Sequence, residues 1–138
     1  MDDCRQIYEG VKTLKTVSDC INGFMVAVEN RKNVNYASRA SVRKYNLAYD
    51  KCYRNLKFIN DHYPDQLDVL ETLLDHPDPV VVRTCAAIIS RLTNCKIDLQ
   101  IKAIQVYKNL LDDPNTDAAD RFAYTKFIAD WEENLSEL

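Results

Sequence analysis

Apolar side chains recur at intervals of three and four residues along most of the chain. The longest regular run predicts a helix from Ser38 to Asp61. Its apolar stripe consists of Val42, Tyr45, Tyr49, Cys52, Leu56 and Ile59. This spacing places side chains on one face of an α-helix. We therefore expect a long helix that turns this face towards a core.

The same periodicity predicts six further helices. They are an N-terminal helix carrying Ile7, Val11 and Leu14, a helix around Phe24, and helices over Asp65 to Asp75, Pro79 to Leu92, Ile97 to Leu111 and Asp117 to Asn134. The apolar set of the last helix is Phe122, Tyr124, Phe127, Ile128 and Trp131. Helix starts are marked by capping side chains between Thr16 and Asp19, and by Asp78 followed by Pro79 at the first helical position.

Composition agrees with a helical protein. The chain has 138 residues, 46% of them hydrophobic and 28% charged, with only 2 Gly and 4 Pro. So few turn-forming residues argue against an all-β fold and leave no glycine-rich loop for a phosphate. The length suits one domain. We predict a single all-α domain over 1–138, in which 1–17 form an extra helix and 18–138 form helical hairpins.

Two turns of the chain are alike. The segment from Leu73 to Asp78 matches the one from Leu110 to Asn115, about 37 residues later. Each is followed by an arginine, Arg83 or Arg121. Helix–turn–helix units that repeat near this length are typical of solenoids whose stacked hairpins share one core. The pattern predicts a HEAT/armadillo-like right-handed α-α superhelix of six or seven helices, with an irregular helical bundle as the alternative.

The segment from Leu73 to Ala87 resembles the HEAT consensus, in which an Asp precedes the second helix and a Val-Arg pair lies inside it. From about Val17 to Asn134, the chain is also similar to a family of uncharacterised bacterial HEAT-like domains. The similarity includes Phe24 and the run from Tyr45 to Lys51. We assign structural roles within the repeats to Asp78, Arg83, Arg121 and Trp131.

The resemblance also implies a function. Similar domains occur beside bacterial toxin systems, where immunity proteins neutralise a toxin by binding it. A bacterial, cytoplasmic protein-binding module is therefore expected, with an immunity-type protein as its most specific form. The chain departs from the family pattern by an extra helix before Ser18 and one more residue before Arg83, which affects the register of the repeats.

Charge is segregated along the chain. The net charge is −3, yet eight basic residues and a single acid lie between Arg31 and Lys57. The candidate partner-binding residues in this segment are Arg39, Arg43, Lys44, Lys51, Tyr53, Arg54 and Lys57. Such a surface would attract an acidic protein. The alternatives are a solvated face, a homo-oligomeric scaffold, and nucleic-acid binding, which the sequence pI of about 5.3 disfavours.

No catalytic constellation is present in the sequence. His62 and His76 each lie at a helix end, and the five cysteines, at positions 4, 20, 52, 85 and 95, form no Cys-x-x-Cys pair. An enzymatic alternative, a DNA glycosylase that uses Asp130 and Trp131, is disfavoured by the short, acidic chain. We predict a cytoplasmic, non-enzymatic protein without metal, cofactor or membrane span, and the sequence leaves its oligomeric state open.

Overall fold

The computed structural model describes residues 15–32 and 34–137, and this part of the chain is helical, without strands. The α-helices are α1 (Val17–Arg31), α2 (Arg39–His62), α3 (Leu70–Leu74), α4 (Pro79–Ile89), α5 (Ile97–Asp112) and α6 (Ala118–Ser136). A 3₁₀ helix, Pro64–Val69, leads into α3. The all-α prediction is confirmed. The predicted helix with Ile7, Val11 and Leu14 lies outside the described residues.

Capping side chains set the starts of the helices. At α1, Thr16 Oγ1 accepts a hydrogen bond from Asp19 N, and the Asp19 carboxylate accepts one from Thr16 N, both at 3.0 Å. These bonds form a capping box and lower the pKa of Asp19. At α4, Asp78 Oδ1 accepts from Val80 N at 2.9 Å. Both starts were readable from the sequence because capping is a local interaction.

The chain divides into two compact units, Met1–Ile59 and Asn60–Leu138. In the first unit, α1 contacts α2 where Cys52 Sγ donates to Phe24 O at 3.9 Å, and both helices carry apolar side chains that are almost fully buried. These are Cys20, Phe24, Ala27 and Val28 of α1 and Ala48, Cys52, Leu56 and Ile59 of α2. The second half of the predicted apolar stripe on α2 is therefore core. Its first half, from Val42 to Tyr49, is only half-buried.

Gly23 allows α1 and α2 to approach closely. A Cβ at this position would lie 2.6 Å from Asn55 Oδ1. The Asn55 side chain is buried, and its Nδ2 donates to Lys51 O at 2.8 Å, so the amide cannot swing away without losing this bond. The glycine that weakens helix α1 by its low propensity is thus required by the packing of the helix pair.

We expect Gly23→Ala to lower the free energy of unfolding by about 1–2 kcal/mol, because overpacking outweighs the roughly 1 kcal/mol gain in helix propensity. Urea unfolding followed by circular dichroism measures this change. Adding Asn55→Ala should recover most of the loss, since it removes the amide that the new methyl group meets. A Gly23→Ala variant more stable than the parent would contradict this account of the helix contact.

In the second unit, helices that follow one another in the chain pack together. The contacting pairs are α3 with α4, α4 with α5, and α5 with α6, and α3 also contacts α5. Fully buried side chains at these contacts include Leu70, Val81, Cys85, Ile88, Ile89 and Ala103. The four leucines predicted to point inward, Leu67, Leu70, Leu73 and Leu74, are all buried.

The segment predicted as one helix from Asp65 to Asp75 is instead a 3₁₀ helix followed by a five-residue α-helix. Pro64 occupies the first position of the 3₁₀ helix. Leu67 and Leu70 are three residues apart, and a 3₁₀ helix has three residues per turn. This geometry brings both leucines onto one face, so the local tightening buries them together.

The two turns that match in sequence differ in length. Four residues connect α3 to α4, whereas five connect α5 to α6. The cap of α6 is Asp117, which accepts from Asp120 N at 2.8 Å, and not the matched Asn115. The helix after the second turn therefore begins later in the matched sequence. Arg83 lies five residues after its N-cap Asp78, whereas Arg121 lies four residues after its N-cap Asp117.

The two arginines consequently make different contacts. Arg121 donates to three carbonyls around the second turn, Leu111 O at 2.5 Å, Asp113 O at 2.6 Å and Thr116 O at 3.0 Å. The exposed Arg83 side chain instead donates to Pro79 O, one turn earlier in its own helix, at 3.4 Å. Arg121 holds a turn together, whereas Arg83 makes a weak local bond.

Aromatic side chains join α6 to α5. Trp131 is buried, and its Nε1 donates to Gln100 Oε1 at 3.1 Å. Phe127 packs between Tyr107 and Trp131, with ring centroids 5.0 and 5.5 Å away. Phe122 belongs to the apolar set of this helix in the sequence but lies outside this face, and its side chain is 77% exposed. Nine residues before Trp131, it lies about half a turn away around the helix.

Candidate functional site: a basic groove on the first unit

The first unit exposes a row of cations along α2. We call this row the basic face; it consists of Arg39, Arg43, Lys44, Lys51 and Arg54, all exposed. Among the residues that the structure describes, no carboxylate lies within ion-pair distance of these five. Lys57 is exposed and Tyr53 is half-buried, and neither lines the depressions described next.

Three surface depressions run beside the basic face, with volumes of about 380, 300 and 650 Å³. The first and second share Arg43 and Leu47. The second and third share Asn30 and Lys51. Residues of both α1 and α2 line the second and third depressions, which together we call the α1–α2 groove. The first depression is lined by α2 and by Tyr36 and Ala37, on the other side of Arg43 and Leu47.

The groove combines a small-residue floor with exposed apolar side chains. Gly23, Ala27 and Ala48 line its floor. Val26 is 64% exposed and Leu47 is 50% exposed. Val26 lines the third depression, and Leu47 lines the first and the second. Tyr36, which lines the first depression, is 75% exposed.

A cation–aromatic cluster fixes the end of α1 against α2. The guanidinium carbon of Arg31 lies 4.8 Å from the ring centre of Tyr45 and 5.0 Å from that of Tyr49. Arg31 also donates to the Tyr45 hydroxyl at 2.5 Å. These two tyrosines, assigned by sequence to the core stripe, are half-buried and contact the arginine. The contacts join the end of α1 to α2.

The acids of the second unit are partly paired within that unit. Lys102 Nζ lies 3.1 Å from Glu71 Oε1 and 2.9 Å from Asp75 Oδ2. These two carboxylates raise the pKa of Lys102, which they contact through hydrogen bonds. The pairing contrasts with the basic face, whose charges have no such partner in the described residues.

Histidines, thiols and carboxylates do not converge in the described part of the chain, where no group of three or more could hold a metal. His62 is the exposed last residue of α2. His76 Nδ1 accepts from Asp78 N at 3.0 Å in the turn before α4.

The four described cysteines are free and buried. Burial raises the pKa of Cys52 and of Cys95 to about 11, so both thiols stay protonated at neutral pH and are poor nucleophiles.

Sequence reasoning found the cations of the groove and missed its apolar residues. The signal was present for Leu47, which lies between Tyr45 and Tyr49 and therefore on the side of α2 away from their stripe. Val26 stands in the same relation to Phe24 on α1. An apolar residue opposite a core stripe is a candidate contact residue when two such helices pack side by side.

Comparisons with models of protein families, with curated proteins and with solved structures find no match for this chain. Within the described residues, no helix is both long and apolar enough to span a bilayer. The chemistry of the groove itself is therefore the basis for a functional argument.

Proposed function

We propose that the chain is a non-enzymatic protein-binding module that docks an acidic protein on the basic face. The observation that carries this proposal is the set of five exposed cations, without acidic partners in the described residues, beside exposed Val26 and Leu47. Complementary charge would speed and orient association. The apolar side chains would then be desolvated at the centre of the contact, where binding energy concentrates.

The toxin-neutralising immunity protein is the most specific form of this proposal, and it would act by steric occlusion. The hairpins α3–α4 and α5–α6 support a HEAT-like stacking in the second unit, and we extend this to a right-handed superhelix. The buried, reduced thiols support a reducing bacterial cytoplasm as the compartment. Nucleic acid fits less well, because polar contacts to a phosphate backbone would leave the apolar side chains of Val26 and Leu47 unburied.

We expect Arg43→Glu with Arg54→Glu to slow association with the protein partner about tenfold or more at low salt, because electrostatic steering becomes repulsion. The partner is first captured from host lysate on the immobilised chain, identified and purified. Association rates are then measured at low and moderate salt. The matched control, Lys96→Glu with Lys126→Glu, changes net charge equally at exposed positions of the second unit and should leave the rate nearly unchanged.

Equal association rates for the two double variants would contradict the basic face as the docking surface. Retention of nucleic acid in place of protein would favour the nucleic-acid alternative. Light scattering of the purified chain tests the scaffold alternative, since a dimer that persists on dilution would favour it.

A further inference from the structure

The α1–α2 groove has the length and lining expected of a binding site for one helix. Arg43, Leu47, Lys51 and Arg54 line the groove and follow one another at three- or four-residue intervals along α2. At 1.5 Å per residue, this strip extends about 16 Å, or roughly three turns of a partner helix. A flat protein surface would not reach the floor of such a channel, whereas a helix ridge fits between two packed helices.

The groove floor favours close approach of a third helix. Ala27 and Ala48 carry only a methyl group where they line the groove, whereas the Asn55 side chain covers Gly23. Val26 projects from α1 and Leu47 from α2, and both are at least half exposed. An occupant with an apolar stripe at helical spacing would cover both side chains at once.

The two walls of the groove differ in charge. The α2 wall carries Arg43, Lys51 and Arg54. The α1 wall carries Lys15 and Asp19, whose opposite charges cancel, and the uncharged amides of Asn22 and Asn30. A helix lying in the groove would therefore place carboxylates on its flank towards α2, and uncharged polar side chains on its flank towards α1.

We propose that the occupant of the α1–α2 groove is a single acidic amphipathic helix of a partner protein. This inference rests on the proposed protein-binding function and specifies the element that is bound. The apolar stripe of the helix covers Val26 and Leu47, and its acidic flank pairs with Arg43, Lys51 and Arg54.

The test uses two labelled synthetic peptides of about 16 residues, roughly four and a half helical turns, built from the same Leu, Glu and Ala residues. One peptide places the leucines in a single stripe with glutamates on one flank; the other disperses them around the helix. Fluorescence anisotropy against the full chain at moderate salt should show the striped peptide binding about tenfold tighter.

Two variants of the full chain test the apolar contacts. Leu47→Asp and Val26→Asp should each weaken binding of the striped peptide about tenfold, as expected for central contact residues. Ile101→Asp is the matched control, since Ile101 is a 54% exposed aliphatic residue of α5 in the second unit and should not affect binding. Circular dichroism of each variant confirms that the helices are retained.

Equal binding of the two peptides would overturn this inference and leave the proposed function intact, because the basic face would then recognise charge alone. If Ile7→Ser with Val11→Ser in the full chain tightened peptide binding about tenfold, the groove would belong to the chain's own N-terminal segment and the inference would fail. Self-association abolished by Leu47→Asp would assign the groove to a second copy and would also overturn the inference.

Discussion

Replacing Trp131 with alanine is expected to lower the free energy of unfolding by about 3–5 kcal/mol, because the indole is buried and its removal leaves a cavity between α5 and α6. The variant also loses the Nε1 hydrogen bond to Gln100 Oε1 and the packing against Phe127. Trp131 is the only tryptophan of the chain. The measurement is therefore urea unfolding followed by circular dichroism rather than by fluorescence.

Phe122→Ala is the matched control for Trp131→Ala. Both residues are aromatic and lie on α6, but the Phe122 side chain is mostly exposed. Its removal should change the free energy of unfolding by no more than about 0.5 kcal/mol, as for other surface positions. Similar losses in the two variants would mean that α6 packs in another orientation than described.

Arg121→Ala is expected to lower the free energy of unfolding by about 2–3 kcal/mol, because three carbonyls lose a charged hydrogen-bond donor. These carbonyls belong to Leu111, Asp113 and Thr116, around the turn between α5 and α6. Fluorescence of Trp131 reports on the same helix and follows the unfolding. Arg121→Lys should recover only part of the loss, since one ammonium group cannot reproduce the planar arrangement of donors.

The control for Arg121 is the arginine that follows the other matched turn. The Arg83 side chain is exposed and donates only to Pro79 O, at 3.4 Å, among the contacts described. We expect Arg83→Ala to cost no more than about 0.5 kcal/mol. Equal losses for Arg83→Ala and Arg121→Ala would show that the two turns are equivalent and that their different lengths do not matter.

Much of the helical structure could be predicted from local sequence. The predicted bounds of the helix from Ser38 to Asp61 agree with α2 within one residue at each end. Caps at Thr16 and Asp78 are also present as predicted. Periodicity and capping depend on residues within one or two turns, so a single sequence contains the necessary information.

The candidate site could be predicted only in part from the sequence. The cations of the basic face could be placed on α2 because side-chain direction follows from helical geometry. The sequence could not show whether these cations have acidic partners, because that depends on which elements come near them. The same limit explains Phe122, whose apolar character indicated burial although no helix of the described chain covers it.

By itself, the sequence determined most of the described helices, the caps at Thr16 and Asp78, and the segregation of charge, because these follow from contacts between near neighbours in the chain. Only the tertiary structure decided that Gly23 lies against Asn55, that Val26 and Leu47 line a groove, and that Arg121 holds a turn. The physical reason is that burial and close approach depend on which distant segments pack together. Helical periodicity gives the direction of a side chain, but not what it meets.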